Sequence, residues 1–281
     1  MIDKHLLKVN KRPTNEEFLS DTWTNRLDYV GLVKKDGGGV DTNEVFYNFD
    51  GTKVTKLKVK IEKPGYYGLA NISGDISEDK PTIINWGNGQ PTKLTTPITS
   101  GSGANNSTDW HTNYDKPGEY EISIDGWYNH FKCCDASIIK PGVTQINYVL
   151  TEIIQVSSLI TSFSYTFYNC TGLTSIPIWL FDKNPNVTDF ESVFMGCSSL
   201  TRIPIGLFDK NTNIDNIQQA FAGCSNITGE TPYTLADDGV SKIKLWQRGG
   251  TNGFAKPKYA GWAFRGCTKL DDHDEIPDNW K

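Results

Sequence analysis

The sequence predicts an α+β, multidomain chain: an N-terminal arm, a β-sandwich and a short α/β solenoid. Three observations carry this. A phrase built on Phe-x-x-Cys recurs four times, ending at Cys170, Cys197, Cys224 and Cys267. Between residues 44 and 148, short alternating apolar runs are separated by Gly, Pro and Asn turn signals, the spacing of an all-β module. Ahead of both, an apolar face of helical period runs into three consecutive glycines, 37–39. A length of 281 residues accommodates two domains and a smaller element.

The arm comes first. Thr14-Asn15-Glu16-Glu17 has the Thr-x-x-Glu form of a capping box, in which the hydroxyl and the carboxylate satisfy free N–H groups of a helix start. Leu19, Trp23, Leu27 and Val30 follow on one helical face. With the glycine hinge behind it, this stretch (residues 1–39) reads as an attachment segment that docks on a partner.

Residues 40–149 read as the β domain. Leu57, Val59 and Ile61 alternate, as do Tyr120, Ile122 and Ile124, and Asn88-Gly89 marks a tight turn after Trp86.

Residues 150–281 read as the repeat. The cysteines are 27, 27 and 43 residues apart, so an insertion lies at about 230–257, with the character of a hairpin or long loop. Ahead of the first three of these Cys stand Ile160, Phe163, Phe167; Val187, Phe190, Phe194; and Ile214, Ile217, Phe221. The i, i+3, i+7 spacing predicts a short helix in each unit. The Leu-Thr-x-Ile-Pro phrases after the Cys predict a short strand. Such units bury their faces only by stacking on one another.

Composition narrows the function. Thirty-three acidic against 28 basic residues give a net charge of −5 and a pI near 5.4, which excludes a phosphate-neutralising nucleic-acid binder. No apolar run reaches the ~18 residues of a membrane-spanning helix, so no membrane insertion is expected. The N-terminus carries no apolar leader segment.

Two resemblances sharpen the reading. Trp86-Gly87-Asn88-Gly89, His111, Tyr114 and Pro117-Gly118-Glu119-Tyr120 resemble the motif series of the PKD-type immunoglobulin-like module. That implies an immunoglobulin-like β-sandwich acting as a spacer or adhesive domain. Asn88 departs from the Asp preferred there and removes a carboxylate. The Phe-x-x-Cys-x-x-Leu-x-x-Ile-Pro units resemble the BspA-like surface-protein leucine-rich repeats common in gut Bacteroidota and their phages. That implies a leucine-rich-repeat-like solenoid that binds proteins or glycans.

No catalytic constellation, metal set or cofactor motif stands out. The repeat cysteines read as a ladder of small buried thiols. The acidic run Asp271-Asp272-His273-Asp274-Glu275 reads as a solvated cap. Trp179, Arg202, Trp246 and Arg248 form the candidate binding surface, since Trp and Arg anchor interfaces. Trp179 is placed outside because its counterpart one repeat on is Gly206.

The expectation is a non-enzymatic phage virion protein, a capsid or head fibre or decoration. It would be a homo-oligomer, joined to other virion proteins through residues 1–39 and to a host-surface protein or glycan through 150–281. The alternative is a bacterial cell-surface adhesin or glycan-binding surface lipoprotein.

Overall fold

The computed structural model describes residues 54–69, 71–97, 111–133 and 148–281. The expected arm and hinge (residues 1–39) lie outside the described residues. The fold is β-rich. Its strands pair in antiparallel sheets, and no α-helix occurs among the described residues.

Five strands form the main sheet in the order β5-β4-β7-β1-β9: β1 (Val54–Ile61), β4 (Thr82–Asn85), β5 (Thr92–Leu94), β7 (Gly118–Gly126) and β9 (Tyr148–Gln155). Two ribbons accompany it. One pairs β2 (Gly65–Gly68) with β6 (His111–Tyr114), the other β3 (Asn71–Gly74) with β8 (Tyr128–Lys132). Alternation decides which faces are buried. Leu57, Val59 and Ile61 of β1, with Ile122 and Ile124 of β7, point into the core. The turn after β4 is fixed by side chains. Trp86 is fully buried, its indole N–H donates to Thr92 Oγ1 at 2.8 Å, and Tyr114 Oη donates to the Trp86 carbonyl at 2.6 Å. Asn88 Nδ2 donates to Thr112 Oγ1 at 2.6 Å and to the Asn113 carbonyl at 3.0 Å. A carboxylate in this place has no proton to give, which is the physical reason for Asn here. Gly87 has φ +76°, and a Cβ there would lie 2.7 Å from the Glu121 carbonyl oxygen.

The four Phe-x-x-Cys units stack as coils, but without the expected helices or strands. In each coil the N–H groups of alternate residues cross to carbonyls of the following coil. Phe163, Tyr165, Phe167 and Asn169 donate to Asp189, Glu191, Val193 and Met195 at 2.7–3.0 Å. Phe190, Ser192, Phe194 and Gly196 repeat the pattern onto Asn216, Gln218, Ala220 and Ala222. Ile217, Gln219, Phe221 and Gly223 repeat it onto Tyr259, Gly261, Ala263 and Arg265.

This ladder needs left-handed residues between right-handed ones. Tyr165, Ser192, Gln219 and Trp262 have φ of +51 to +59°, and Asn169, Gly196, Gly223 and Gly266 follow with φ of +55 to +80°. Two left-handed residues per coil forbid a helix, although the i, i+3, i+7 spacing fits one. The Gly or Asn before every Cys was the sequence signal for this, since both tolerate positive φ. The expected strand after each Cys shrinks to single rungs. Thr201 N–H donates to Thr174 O at 3.3 Å and Thr228 N–H to Thr201 O at 2.8 Å. Pro177 and Pro204 then interrupt pairing because they have no N–H.

Aromatic rings stack along the same axis. Phe167, Phe194, Phe221 and Phe264 lie 5.5–5.6 Å apart with interplanar angles of 1–21°. Phe131 of β8 meets Phe167 edge-on at 6.0 Å, and Trp280 stacks on Phe264 at 6.3 Å. The sheet and the coils therefore share one continuous core. The boundary expected between residues 149 and 150 falls inside β9, where Val149 pairs with Lys60 and Leu150 with Val59 of β1.

At the seam, the first coil's outward carbonyls are met by β8. Cys133 N–H donates to Thr166 O at 2.9 Å, and the His130 ring donates through Nε2 to Ser164 O at 2.8 Å. Burial holds the His130 imidazole below its ordinary value of 6.5, with Lys132 adding to this and Ser164 and Asp189 opposing it. The native ring thus resists a proton that the unfolded chain accepts. Stability is full above about pH 6.5 and is lost as pH falls toward the folded value. The expected outcome is a thermal midpoint that drops between about pH 7.5 and 5.5 in the wild type and drops markedly less in His130→Gln. An equal drop in both proteins would contradict this role.

Candidate functional site

The four residues expected to share a binding surface do not share one. Trp179 is only 8% exposed, against the expectation that it faces solvent. It lines a crevice with Ile154, Gln155 and Val156 at the end of β9. Its counterpart Gly206 is also buried, because the insertion backbone closes on it: Gly206 N–H donates to the Tyr233 carbonyl at 3.0 Å. Trp and Gly alternate here because different neighbours fill the space.

Arg248 is likewise buried, at 3% exposure. The insertion folds as a hairpin of β10 (Tyr233–Leu235) and β11 (Lys242–Lys244), followed by a 3₁₀ turn at Leu245–Gln247. That turn delivers Arg248 to the interior. Its guanidinium donates from Nη1 to Asn211 O at 2.8 Å and from Nη2 to Phe208 O at 2.9 Å, and it packs 4.3 Å from the Phe254 ring centroid. One coil earlier, Asn211 Nδ2 donates to Asn184 O at 2.8 Å; a further coil back, Asn184 Nδ2 donates to Ser157 O and Ile160 O, each at 3.0 Å. Arg248 continues this asparagine ladder. Burial pushes its guanidinium down to about 10, with Asp209 opposing the shift, so it stays charged at neutral pH.

Trp246 is half-buried and packs edge-on against Phe264 and Trp280, each at 6.2 Å. Of the four, only Arg202 is exposed.

An exposed group exists on the last coil instead. Tyr259 is 56% and Trp262 is 49% exposed. Trp262 is held at φ +59° with its N–H on the Asn279 carbonyl at 2.9 Å. Arg265 N–H donates to Trp262 O at 3.1 Å, and this turn sets the guanidinium 5.4 Å from the Trp262 ring centroid. Tyr259 is fixed by the Asp215 carbonyl at 3.0 Å, and neighbouring Lys258 pairs with Asp215 at 2.8 Å. Trp262 was visible in the sequence only as one tryptophan among several. Tyr259 and Arg265 carried no signal, because the coils before them place Asn216 and Ala222 at the equivalent sites.

The acidic run expected as a solvated cap is split. Asp271, Asp274 and Glu275 are exposed, whereas Asp272 is buried against Lys244 and Thr231. Burial alone would raise its carboxyl. Hydrogen bonds from Lys244 and Thr231 outweigh that and hold it below the usual carboxylate range.

The described cysteines are buried, and Cys197, Cys224 and Cys267 each donate their thiol to a Phe carbonyl of the preceding coil at 3.1 Å. Burial pushes the Cys267 thiol up to about 12, so thiolate chemistry is suppressed there. Among the described residues no group of three or more His, Cys, Asp or Glu is arranged to hold a metal, and no helix is long and apolar enough to cross a membrane.

Comparison with protein-family models, with curated proteins and with solved structures finds no match.

The burial of Trp179 and Arg248 gives a direct check. Trp179→Ala is expected to cost about 3–5 kcal/mol as a buried large-to-small change. Arg248→Ala removes the guanidinium donor from the buried Asn211 carbonyl and one of two donors from the Phe208 carbonyl, and is expected to cost about 2–4 kcal/mol. Arg202→Ala is expected to stay within about 0.5 kcal/mol. Chemical denaturation of the three variants measures this, and near-wild-type stability of Trp179→Ala would return that side chain to the surface.

Proposed function

We propose that this chain is a non-enzymatic phage virion protein, a capsid or head fibre or decoration, that displays an adhesive module to the host surface. On this reading the β part is an immunoglobulin-like sandwich and the stacked coils are a short leucine-rich-repeat-like solenoid. Residues 1–39 join the protein to other virion proteins, and it assembles as a homo-oligomer. The observation that carries the adhesive role is the Tyr259, Trp262 and Arg265 group. Two large rings are left exposed on the last coil, whereas the Phe rings of the column are buried, and a guanidinium lies over one of them. Aromatic and Arg side chains are the types that anchor a partner once buried by it.

The size of this group favours a glycan over a protein. One indole face and one guanidinium match a sugar ring with its hydroxyl or carboxylate groups. A stable protein interface needs a far larger area. Backbone fixation of Trp262 and Tyr259 limits the ordering cost of binding.

The test uses the full chain. Wild type, Trp262→Ala and Arg265→Ala are compared for binding to host cells and to a glycan array. Both positions are solvent-facing, so the variants are expected to melt close to the wild type while binding falls at least about 10-fold, the loss typical of an interface anchor. Undiminished binding by both variants, or no binding by the wild type, would remove the adhesive role from this face.

A further inference from the structure

A second cluster lies where the insertion hairpin meets the C-terminal turn, and neither the ladder nor the exposed aromatic face uses it. The Lys244 and Asp272 side chains are 6% and 5% exposed, and Lys244 Nζ lies 2.5 Å from Asp272 Oδ2. Glu230 Oε2 is 2.7 Å from the same Nζ, and its other oxygen accepts from Lys242 at 2.5 Å. Thr231 also donates to the aspartate. Its N–H donates to Oδ1 at 3.0 Å and to Oδ2 at 3.2 Å, and its hydroxyl donates to Oδ2 at 2.5 Å. The Tyr233 ring centroid is 5.0 Å from Nζ and closes the site on a further side.

An ion pair alone needs only the lysine and the aspartate. Here a buried amine touches a buried carboxylate, a second carboxylate touches the same amine, and two donors are aimed at the oxygens of the first. That is the set of roles an acyl-transfer step requires: nucleophile, electrophile, proton carrier and oxyanion donors. The fold supplies proximity that a free amine and a free carboxylate lack in water.

We propose that Lys244 and Asp272 join in an intramolecular isopeptide bond. Glu230 takes a proton from the Lys244 ammonium. The Nζ lone pair attacks Asp272 Cγ, and the developing oxyanion on Oδ1 is held by the Thr231 N–H. Glu230 returns its proton to Oδ2, a second proton passes from nitrogen to Oδ2, and the C–Oδ2 bond breaks to release water. The ammonium and the carboxylate become one amide and one water, Glu230 ends as the carboxylate it began as, and no oxidant or co-reactant is consumed. The product ties β11 to the turn that precedes the C-terminal segment, across 28 residues of sequence. It locks the insertion and the end of the stack together.

The experiment is intact mass spectrometry of the purified full chain under denaturing conditions. The wild type is expected to be lighter than its sequence mass by one water, and proteolysis is expected to yield a branched peptide joining Lys244 to Asp272. Lys244→Arg is expected at its full sequence mass. Asp272→Asn is expected to react with release of ammonia instead and to reach the wild-type product mass. Glu230→Gln is expected to remain cooperatively folded in a thermal melt yet form the bond at least about 10-fold more slowly, the usual worth of a positioned proton carrier being 10²–10⁴. A folded wild type at its full sequence mass would overturn the proposal, as would undiminished bond formation in Glu230→Gln.

Discussion

Along the edge of the stack that leads to each Cys the coil-to-coil ladder runs one way, and most of the architecture follows from that. On that edge each coil offers N–H groups to the coil after it and carbonyls to the coil before it. A stack of this kind has two unlike ends, one with unpaired carbonyls and one with unpaired N–H groups, and buried backbone groups must be satisfied. Strand β8 and the residue that follows it supply donors to the first coil through the His130 ring and Cys133 N–H. The carbonyls of Asn279 and Trp280 supply acceptors to Trp262 and Phe264 of the last coil. The sheet and the C-terminal turn are thus the two caps of the stack. This is why Phe131 and Trp280 stand at the two ends of the same aromatic column.

The ladder has a conformational cost. Each non-glycine residue in the left-handed region opposes folding by roughly 1–2 kcal/mol, and there are five among the described residues. Burial of large rings offsets it, since each fully buried Phe contributes about 1.5–3 kcal/mol and Phe163, Phe167, Phe181, Phe190, Phe194, Phe208 and Phe221 are all buried to within 2%. Gly196 shows why the second left-handed position is glycine beyond the first coil. A Cβ there would lie 2.0 Å from Asn169 Oδ1. The thiols fit the same economy of space, each small enough to stay inside while donating to the coil before.

The insertion is held by polar groups rather than by further rings. Arg248 takes over the asparagine ladder where the 27-residue period is interrupted, and Lys244 meets Asp272 beneath the hairpin. Both are buried charges, which are costly unless their hydrogen bonds are filled. Here Arg248 fills backbone carbonyls and Lys244 fills carboxylates. With the backbone committed to the ladder and most rings committed to the core, the large side chains left at the surface of the last coil are the ones available for recognition.

The sequence by itself determined equivalence. The four Cys positions, the Phe column, the alternation of β1 and β7 and the turn at Trp86 follow from spacing and turn chemistry, because a repeated or alternating apolar pattern has only a few ways to bury itself. It also marked residues 230–257 as an interruption. Tertiary structure alone decided what fills the space next to each equivalent position. Trp179 is inside because β9 covers it, and Gly206 is small because Tyr233 closes on it. Arg248 is a buried donor because the hairpin turns it inward, and Asp272 leaves the acidic run because Lys244 and Thr231 meet it. The coils are turns and not helices because a carbonyl in the neighbouring coil, distant in sequence, competes for each N–H. Periodicity reports which residues occupy the same place in successive units, whereas burial and pairing are set by contacts 20 to 100 residues away that local pattern does not encode.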